Sequence, residues 1–451
     1  MVSEGWILIR LGNVCTKIGS GATPRGGSEV YLDNGPYTLI RSQNIHNDGF
    51  HHDGLAFINE EHAAELINVE VKKDDVLLNI TGDSVARCCQ VDPAILPARV
   101  NQHVAIIRPN PSKLDPRFLR YFLVSPEVQN RLLSWAGSGG TRNALTKGMI
   151  EAFEVPAPQN LNEQRAIAHI LGSLDDKIEL NRKMNATLEA ISRAIFKSWF
   201  VDFDPVRAKA EGRNPGLPKE IADFFPSRFT DSELGEIPEG WGISPLGEHF
   251  EAVKGVSYKG SGLSDAGMPM HNLNSVYEGG GYKYEGIKYY NGEHSDRHVV
   301  EPGDVIVANT EQGHDRLLIG YAAIVPHFYG NRGIASHHIY RLRPKLNSTL
   351  TATFLCYLLN SPQMHDIVSG YANGTTVNML PIDGVQEPGI IVPPYAVLRA
   401  FDNLAAQIEA RCEETVIESR TLAEVRDALL PKLLSGEVRI SYKELQNVKT
   451  N

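Results

Sequence analysis

The sequence predicts an α+β protein: two mixed α/β domains separated by a long antiparallel two-helix coiled coil, related by a pseudo-twofold internal repeat. Three observations carry that reading. Two stretches keep helical apolar spacing for longer than a small domain can bury. A set of short motifs in the first half recurs in the same order, at a nearly constant offset, in the second. Strand-like β-branched runs punctuated by turns fill the segments that precede both helices.

The first stretch, residues 159–200, places Ile167, Leu171, Leu174, Ile178, Met184, Leu188, Ile191, Ile195 and Trp199 at alternating gaps of three and four, broken by Asn181. At 1.5 Å per residue the run from Glu163 to Phe200 spans about 55 Å and needs a partner of its own length. Residues 395–436 supply one, with Phe401, Leu404, Ile408, Leu422, Val425, Leu429 and Leu433 on one face. The expected seam pairs Ile167, Leu171, Leu174, Ile178, Leu188 and Ile195 with Phe401, Leu404, Ile408, Leu422, Val425 and Leu429. Both seams turn polar near the middle: Asn181 and Asn185 occupy the positions that Thr415 and Ser419 occupy in the second stretch. In an antiparallel pair those segments share a layer, where polar groups cost stability but fix register.

The repeat sets the domain boundaries. Trp6, Leu11 and Gly12 return as Trp241, Leu246 and Gly247. Asp75-Val76 returns as Asp304-Val305, Arg108-Pro109 as Arg343-Pro344, and Phe118, Leu119 and Tyr121 as Phe354, Leu355 and Tyr357. A duplicated unit of domain plus helix follows: one domain over 1–158, a second over 238–394, and a tail over 437–451. Strands are expected at Tyr37–Arg41, Asp75–Thr81, Val104–Arg108, Asp304–Asn309 and Ile339–Leu342, and short helices at Pro116–Ser125 and Leu350–Leu359. Residues 201–237, rich in proline, read as an extended linker with anchors such as Phe224 and Phe225.

With 451 residues the chain exceeds what one core holds, and 42% hydrophobic with 22% charged residues is ordinary for a globular protein. A net charge of −10 argues against a generally basic nucleic-acid coat while leaving room for local basic patches. Five cysteines without CxxC spacing fit a reducing cytosol and neither a disulfide framework nor a zinc site. The N-terminal stretch does not read as a signal peptide and no run approaches a membrane span, so the expected location is cytoplasmic.

The loops between the repeated strands diverge far more than the strands. The first half offers Ser42, Gln43 and Asn44, then Asn79 and Thr81, then Thr141, Arg142, Asn143 and Lys147. The second offers His271, Asn272 and Asn274, then Asn309, Thr310 and Gln312, then Thr375, Thr376 and Asn378. These side-chain types read base edges and hold phosphates, and three such loops in register in both halves mark them as candidate DNA contacts.

On Gly19-Ser20-Gly21-Ala22-Thr23-Pro24, Glu163-Gln164-Arg165-Ala166-Ile167, Leu174-Asp175-Asp176-Lys177-Ile178, the run Phe196–Pro205 and Ile237-Pro238-Glu239-Gly240-Trp241, the chain resembles the specificity subunit of Type I restriction–modification enzymes. The second half departs from the pattern: Val397-Leu398-Arg399 replaces the Glu-Gln-Arg opening, and Ser257-Tyr258-Lys259-Gly260 stands where the first half has its Thr-Pro turn. The resemblance implies two target recognition domains, each reading one part of a split asymmetric site in double-stranded DNA, with the helix pair as the ruler between them. It implies methyltransferase subunits, two of them, docked on that frame, and translocating restriction subunits joining them. S-adenosylmethionine, ATP and Mg would serve those partners, with no cofactor or metal in this chain.

Catalytic readings fail on residue identity. Val392-Pro393-Pro394-Tyr395 lacks the Asn or Asp that an adenine methyltransferase loop needs. Gly19-Ser20-Gly21 is broken by Pro24, and Gly26-Gly27 and Gly279-Gly280-Gly281 lack a phosphate-loop lysine. His51-His52 and His337-His338 are adjacent and point apart on a strand. A non-catalytic protein-binding scaffold with a paired-helix surface is the competing reading, separated from DNA recognition by salt-dependent DNA binding.

Overall fold

β-Branched runs become strands here where apolar cover is available on both faces. The computed structural model describes residues 4–137, 143–313, 315–374 and 377–440. The chain divides into two units, Met1–Leu180 with Glu418–Asn451, and Asn181–Ile417. In the first unit β1 (Cys15–Ser20), β2 (Val76–Asn79), β3 (Cys88–Gln90) and β4 (Val104–Pro109) form an antiparallel sheet in the order β1-β4-β2-β3. Every residue of β2 is buried, as a strand covered on both faces requires. Val76, Leu78, Ala105 and Ile107 face one core with Phe118 and Leu119, while Leu77, Val104 and Ile106 face another. That second core is shared with a smaller sheet in which Tyr37–Ile40 runs parallel to Ala98–Val100.

Helix α1 (Pro116–Val124) begins where Asp115 accepts a hydrogen bond from the Phe118 amide at 2.9 Å and Pro116 takes the first turn. Helix α2 runs from Leu161 to Phe196 and closes in a π-helical turn over Lys197–Val201. The second unit repeats the strand order: β5 (Phe250–Lys254), β6 (Val305–Ala308), β7 (Ala322–Ile324) and β8 (Ile339–Pro344) pair as β5-β8-β6-β7. Helices α3 (Ala352–Leu359) and α4 (Tyr395–Leu434) follow. The repeat extends to single ion pairs. Arg108 clamps Asp75 at 2.6 and 2.8 Å, and Arg343 clamps Asp304 at 2.6 Å through both nitrogens.

The glycines of the repeat have a steric cause. A Cβ on Gly21 would stand 1.9 Å from the Val100 carbonyl oxygen and 2.3 Å from that of Asn101. On Gly255 it would stand 2.2 Å from the Ser336 oxygen and 2.3 Å from that of Ala335. Gly255 is therefore the counterpart of Gly21, and at the same offset Ser257-Tyr258 stands where the first half has Thr23-Pro24.

Within the first unit α2 and α4 run antiparallel. Ile167 and Leu171 share a core with Leu430, Leu433 and Leu434, Arg426 meets Asp175 at 2.7 Å, and Lys177 meets Glu418 at 3.2 Å. Within the second unit the two helices are also antiparallel. Thr415 Oγ1 donates to Asn185 Oδ1 at 2.5 Å, and the Asn185 amide donates to the Cys412 carbonyl at 3.3 Å. Asn181 donates to the Thr415 carbonyl at 3.5 Å, and both residues are buried. The polar segments meet in one layer. Of the expected seam, Ile167, Leu171, Ile178 and Phe401 are buried, and Leu174, Leu188, Ile195, Leu404, Ile408, Leu422 and Leu429 are half-buried. Val425 is a correction, being 42% exposed, as is Ile191 at 45%. A 3.6-residue helix drifts against a 3.5-residue pattern, and on that turn Arg426 rather than Val425 points inward.

The asparagine–threonine layer predicts a specific coupling. Asn185→Leu leaves Thr415 Oγ1 only the Cys412 carbonyl at 2.8 Å, and Thr415→Val leaves the half-buried Asn185 Oδ1 without its donor, so each should cost about 1 kcal/mol. The double variant should recover most of that loss, read as a coupling energy in a urea-unfolding cycle; strictly additive losses would count against a shared layer.

The linker is a second correction. Residues 201–237 are folded: Asp204–Ala210 is a helix with Pro205 in its first turn, and Phe229–Ser232 pairs with Gly235–Pro238. Phe203, Val206 and Phe225 are buried in the second unit's core, whereas the expected anchor Phe224 is 42% exposed. Prolines that read as breakers occupy helix starts and turns, which they suit.

Candidate nucleic-acid interface

The polar loops sort into reachable tips and buried supports. In the first unit Gln43 is exposed, its amide donating to the Gly54 carbonyl at 3.2 Å. Ser42 is half-buried and its carbonyl accepts from Asn79 Nδ2 at 2.8 Å. Asn44 is fully buried: its oxygen accepts the Arg41 amide at 3.1 Å and its amide donates to the carbonyls of His51 and Asp53, each at 3.1 Å. Asn79 is also fully buried and donates to Ser84 Oγ at 3.1 Å. Thr81 lies 2.6 Å from His103 Nδ1. Asn143 and Lys147 are exposed, the latter 3.5 Å from Glu151 one helical turn on. Thr141 and Arg142 lie outside the described residues.

The second unit sorts the same way. Asn274 and Gln312 are exposed. His271 is buried with Nδ1 2.8 Å from the Tyr282 hydroxyl, and burial pushes its pKa down to about 3, so it is neutral. Asn272 donates to the carbonyls of Met270 and Gly286 at 3.2 and 2.8 Å and accepts the Asn274 amide at 2.9 Å. Asn309 is buried and donates to the His337 carbonyl at 3.2 Å; Thr310 lies 2.9 Å from His338 Nδ1, matching Thr81 and His103. Asn378 is buried and donates to the Gly313 carbonyl. Thr375 and Thr376 lie outside the described residues.

Seven expected contacts are thus corrected to supports: Asn44, Asn79, His271, Asn272, Asn309, Thr310 and Asn378. Their side chains lie below the surface: the five asparagines bond loop backbone, and His271 and Thr310 bond the side chains of Tyr282 and His338. Asparagine mimics a backbone turn as readily as it reads a base, and composition does not separate the two uses. The tips left for contact are Gln43, Asn143 and Lys147 in one unit and Asn274 and Gln312 in the other, with Ser42 and Thr81 partly open.

Sequence reasoning missed two features. Thr23 Oγ1 bonds Gln102 Oε1, and Gln102 Nε2 lies 3.0 Å from His103 Nε2, so the Gly-rich motif is tied through His103 to Thr81. His46, Asp48 and His51 each offer a ligand atom within 4.8 Å of the others, and the two rings stack at 3.9 Å. That donor set could hold a divalent ion. The turn that brings them together is closed by His46 and Gly49, which exchange amide-to-carbonyl bonds at 3.1 and 3.2 Å, and by the His51 amide on the Asn44 carbonyl at 2.9 Å; along the sequence His51-His52 is the more conspicuous pair.

Residues 3–190 match the Type I restriction modification DNA specificity domain. The chain is 27% identical over 425 residues to the Type I restriction enzyme HindI specificity subunit of Haemophilus influenzae, covering 82% of this chain and 87% of that one. It is 24% identical over 325 residues to the MjaIX specificity subunit of Methanocaldococcus jannaschii, covering 71% of this chain and 68% of that one. In fold it is similar to the crystal structure of a Type I restriction–modification S subunit from M. genitalium, at a TM-score of 0.58 and 14% identity over 95% of this chain and 96% of that one. No described helix is long and apolar enough to cross a membrane. Over residues 3–190 by its matched domain, and over most of its length by its relatives, the chain is similar to the specificity subunits of Type I restriction–modification systems.

Proposed function

We propose that this chain is the sequence-reading subunit of such a system, with one recognition domain (1–158) reading one half of a split asymmetric duplex site and a second (238–394) reading the other. The single observation that carries the reading is the repeated loop set, whose exposed tips differ between halves while buried asparagines (Asn44 and Asn79, Asn272 and Asn309) and the matched Thr81–His103 and Thr310–His338 pairs brace both. Gln43, Asn143 and Lys147 would address one half-site, Asn274 and Gln312 the other. An amide can make a bidentate contact to adenine and a lysine can hold guanine or phosphate. Paired helices 159–200 and 395–436 would act as the spacer and as the docking frame for two methyltransferase subunits, which restriction subunits then join. Methyl transfer and ATP-driven cleavage belong to those partners with their S-adenosylmethionine, ATP and Mg; this chain would supply recognition and no catalysis, in the cytoplasm.

The test is methylation mapping in cells carrying the complete operon. The Gln43→Ala, Lys147→Ala pair should relax or weaken one half of the recognised site, by about 1–3 kcal/mol per lost base contact, and leave the other half unchanged. Asn274→Ala with Gln312→Ala should do the reverse. Half-site selection untouched by both pairs would remove these loops as the readers. Binding of the purified complex to DNA should weaken steeply with salt, which a protein-only scaffold would not show.

A further inference from the structure

A buried carboxylate in the first unit is held by two guanidinium groups. Asp175 Oδ2 accepts from Arg120 at 2.7 Å and from the Tyr121 hydroxyl at 2.6 Å, and Oδ1 accepts from Arg426 at 2.7 Å. The internal repeat carries this quartet into the second unit. The long helices align at the offset that takes Asn181 to Thr415, and α1 aligns with α3 at the offset that takes Phe118 to Phe354. Asp175 then becomes Glu409 and Tyr121 becomes Tyr357, but Arg120 becomes Cys356 and Arg426 becomes Ser192. The acid is retained and both cations are gone.

A cleft of about 650 Å³ opens at that place, its lining including Cys356, Tyr357 and Glu409 together with Tyr277, Tyr282 and Tyr284. Carboxylates outnumber bases around it: Glu189, Glu285, Glu409 and Glu413 against Arg182, Arg193 and His327, and Arg193 already pairs with Glu189 at 3.6 Å. Among the described residues Glu409 has no hydrogen-bonding or ionic partner. Burial, with Asp402 adding to it, pushes its pKa up to about 7, the signature of an acid that lacks its counter-ion. The volume is that of a small-molecule site, and tyrosine faces attract cations.

We propose that this cleft binds a small organic cation of the guanidinium or alkylammonium class, its charged head set against Glu409 as Arg120 and Arg426 are set against Asp175. The apolar part of the ligand lies along the tyrosines.

Titration calorimetry on the full chain tests this, with agmatine and spermidine as probes and sodium chloride of matched ionic strength as the reference. One saturable site per chain is expected for at least one probe. Glu409→Gln should weaken that binding at least tenfold while leaving the fold intact by circular dichroism. Cys356→Arg, which returns the first unit's cation to the cleft, should abolish binding and raise Tm. Heats no larger than those of matched chloride for both probes, or unchanged affinity in Glu409→Gln, would overturn the proposal, and the second of these decides it even if Cys356→Arg fails to fold.

Discussion

Replacing Asp175 with alanine lowers the stability of the unit that contains it by about 3–5 kcal/mol, because two buried guanidinium groups lose their only shared carboxylate. The Arg120, Asp175 and Arg426 side chains are 7, 15 and 20% exposed, so water replaces little of what Arg120 loses, while Arg426 keeps Asp427 at 2.9 Å. Asp175→Asn keeps a hydrogen-bonding oxygen for Tyr121 but no charge, and should fall between the wild type and alanine. The pH dependence has a definite sign. Burial alone would raise the Asp175 pKa, but Arg120, the Tyr121 hydroxyl and Arg426 outweigh it and hold the group below its ordinary 3.8. The stabilisation is therefore present above that ordinary value and is lost as pH falls through the lower, folded-state value. Urea unfolding of wild type and variant should differ by a constant amount at neutral pH, and the difference should shrink only in strong acid. A difference under about 1 kcal/mol at pH 7 would mean that the cluster is far better hydrated than its burial indicates.

The second large effect is steric. Gly21→Ala should destabilise the first unit by about 3 kcal/mol, since its Cβ would sit 1.9 Å from a backbone oxygen that cannot swing away. Gly19→Ala is the internal control: a Cβ there meets nothing within 4 Å, and the change should stay within about 0.5 kcal/mol. Gly255→Ala should reproduce the Gly21 result in the second unit. Thermal melts of the three variants check this, and equal Tm values for Gly19→Ala and Gly21→Ala would refute the close approach of loop and strand.

The architecture was legible because its signals are periodic or repeated. Asp75–Thr81 and Asp304–Asn309 read as strands from short apolar runs, and strands form at Val76–Asn79 and Val305–Ala308 within them, while the constant offset between the long helices is enough to place the polar layer. What stayed hidden depends on inward and outward facing. Val425 and Arg426 are neighbours, and only the accumulated drift of the helix decides which one faces the partner. Residues 201–237 misled for a related reason: their prolines suggest extension, yet Phe203, Val206 and Phe225 find a core that local composition does not announce. In the recognition loops Asn44 and Gln43 are adjacent and similar in chemistry, and one is a brace while the other is a tip. The Leu174–Ile178 motif, a family marker in the sequence, is in the fold an ionic clasp through Asp175 and its neighbour Asp176, which bonds Arg117.

Because Asn44, Asn79, Asn272 and Asn309 spend their amides on neighbouring backbone, the surface above them is free to drift. Under the proposed function, a new residue at position 143, 274 or 312 would change what is presented to a groove and leave these buried braces in place, whereas one at 43 would also give up the bond to the Gly54 carbonyl. Such a chain can acquire a new preference by one or two exchanges at its fingertips while its skeleton stays untouched.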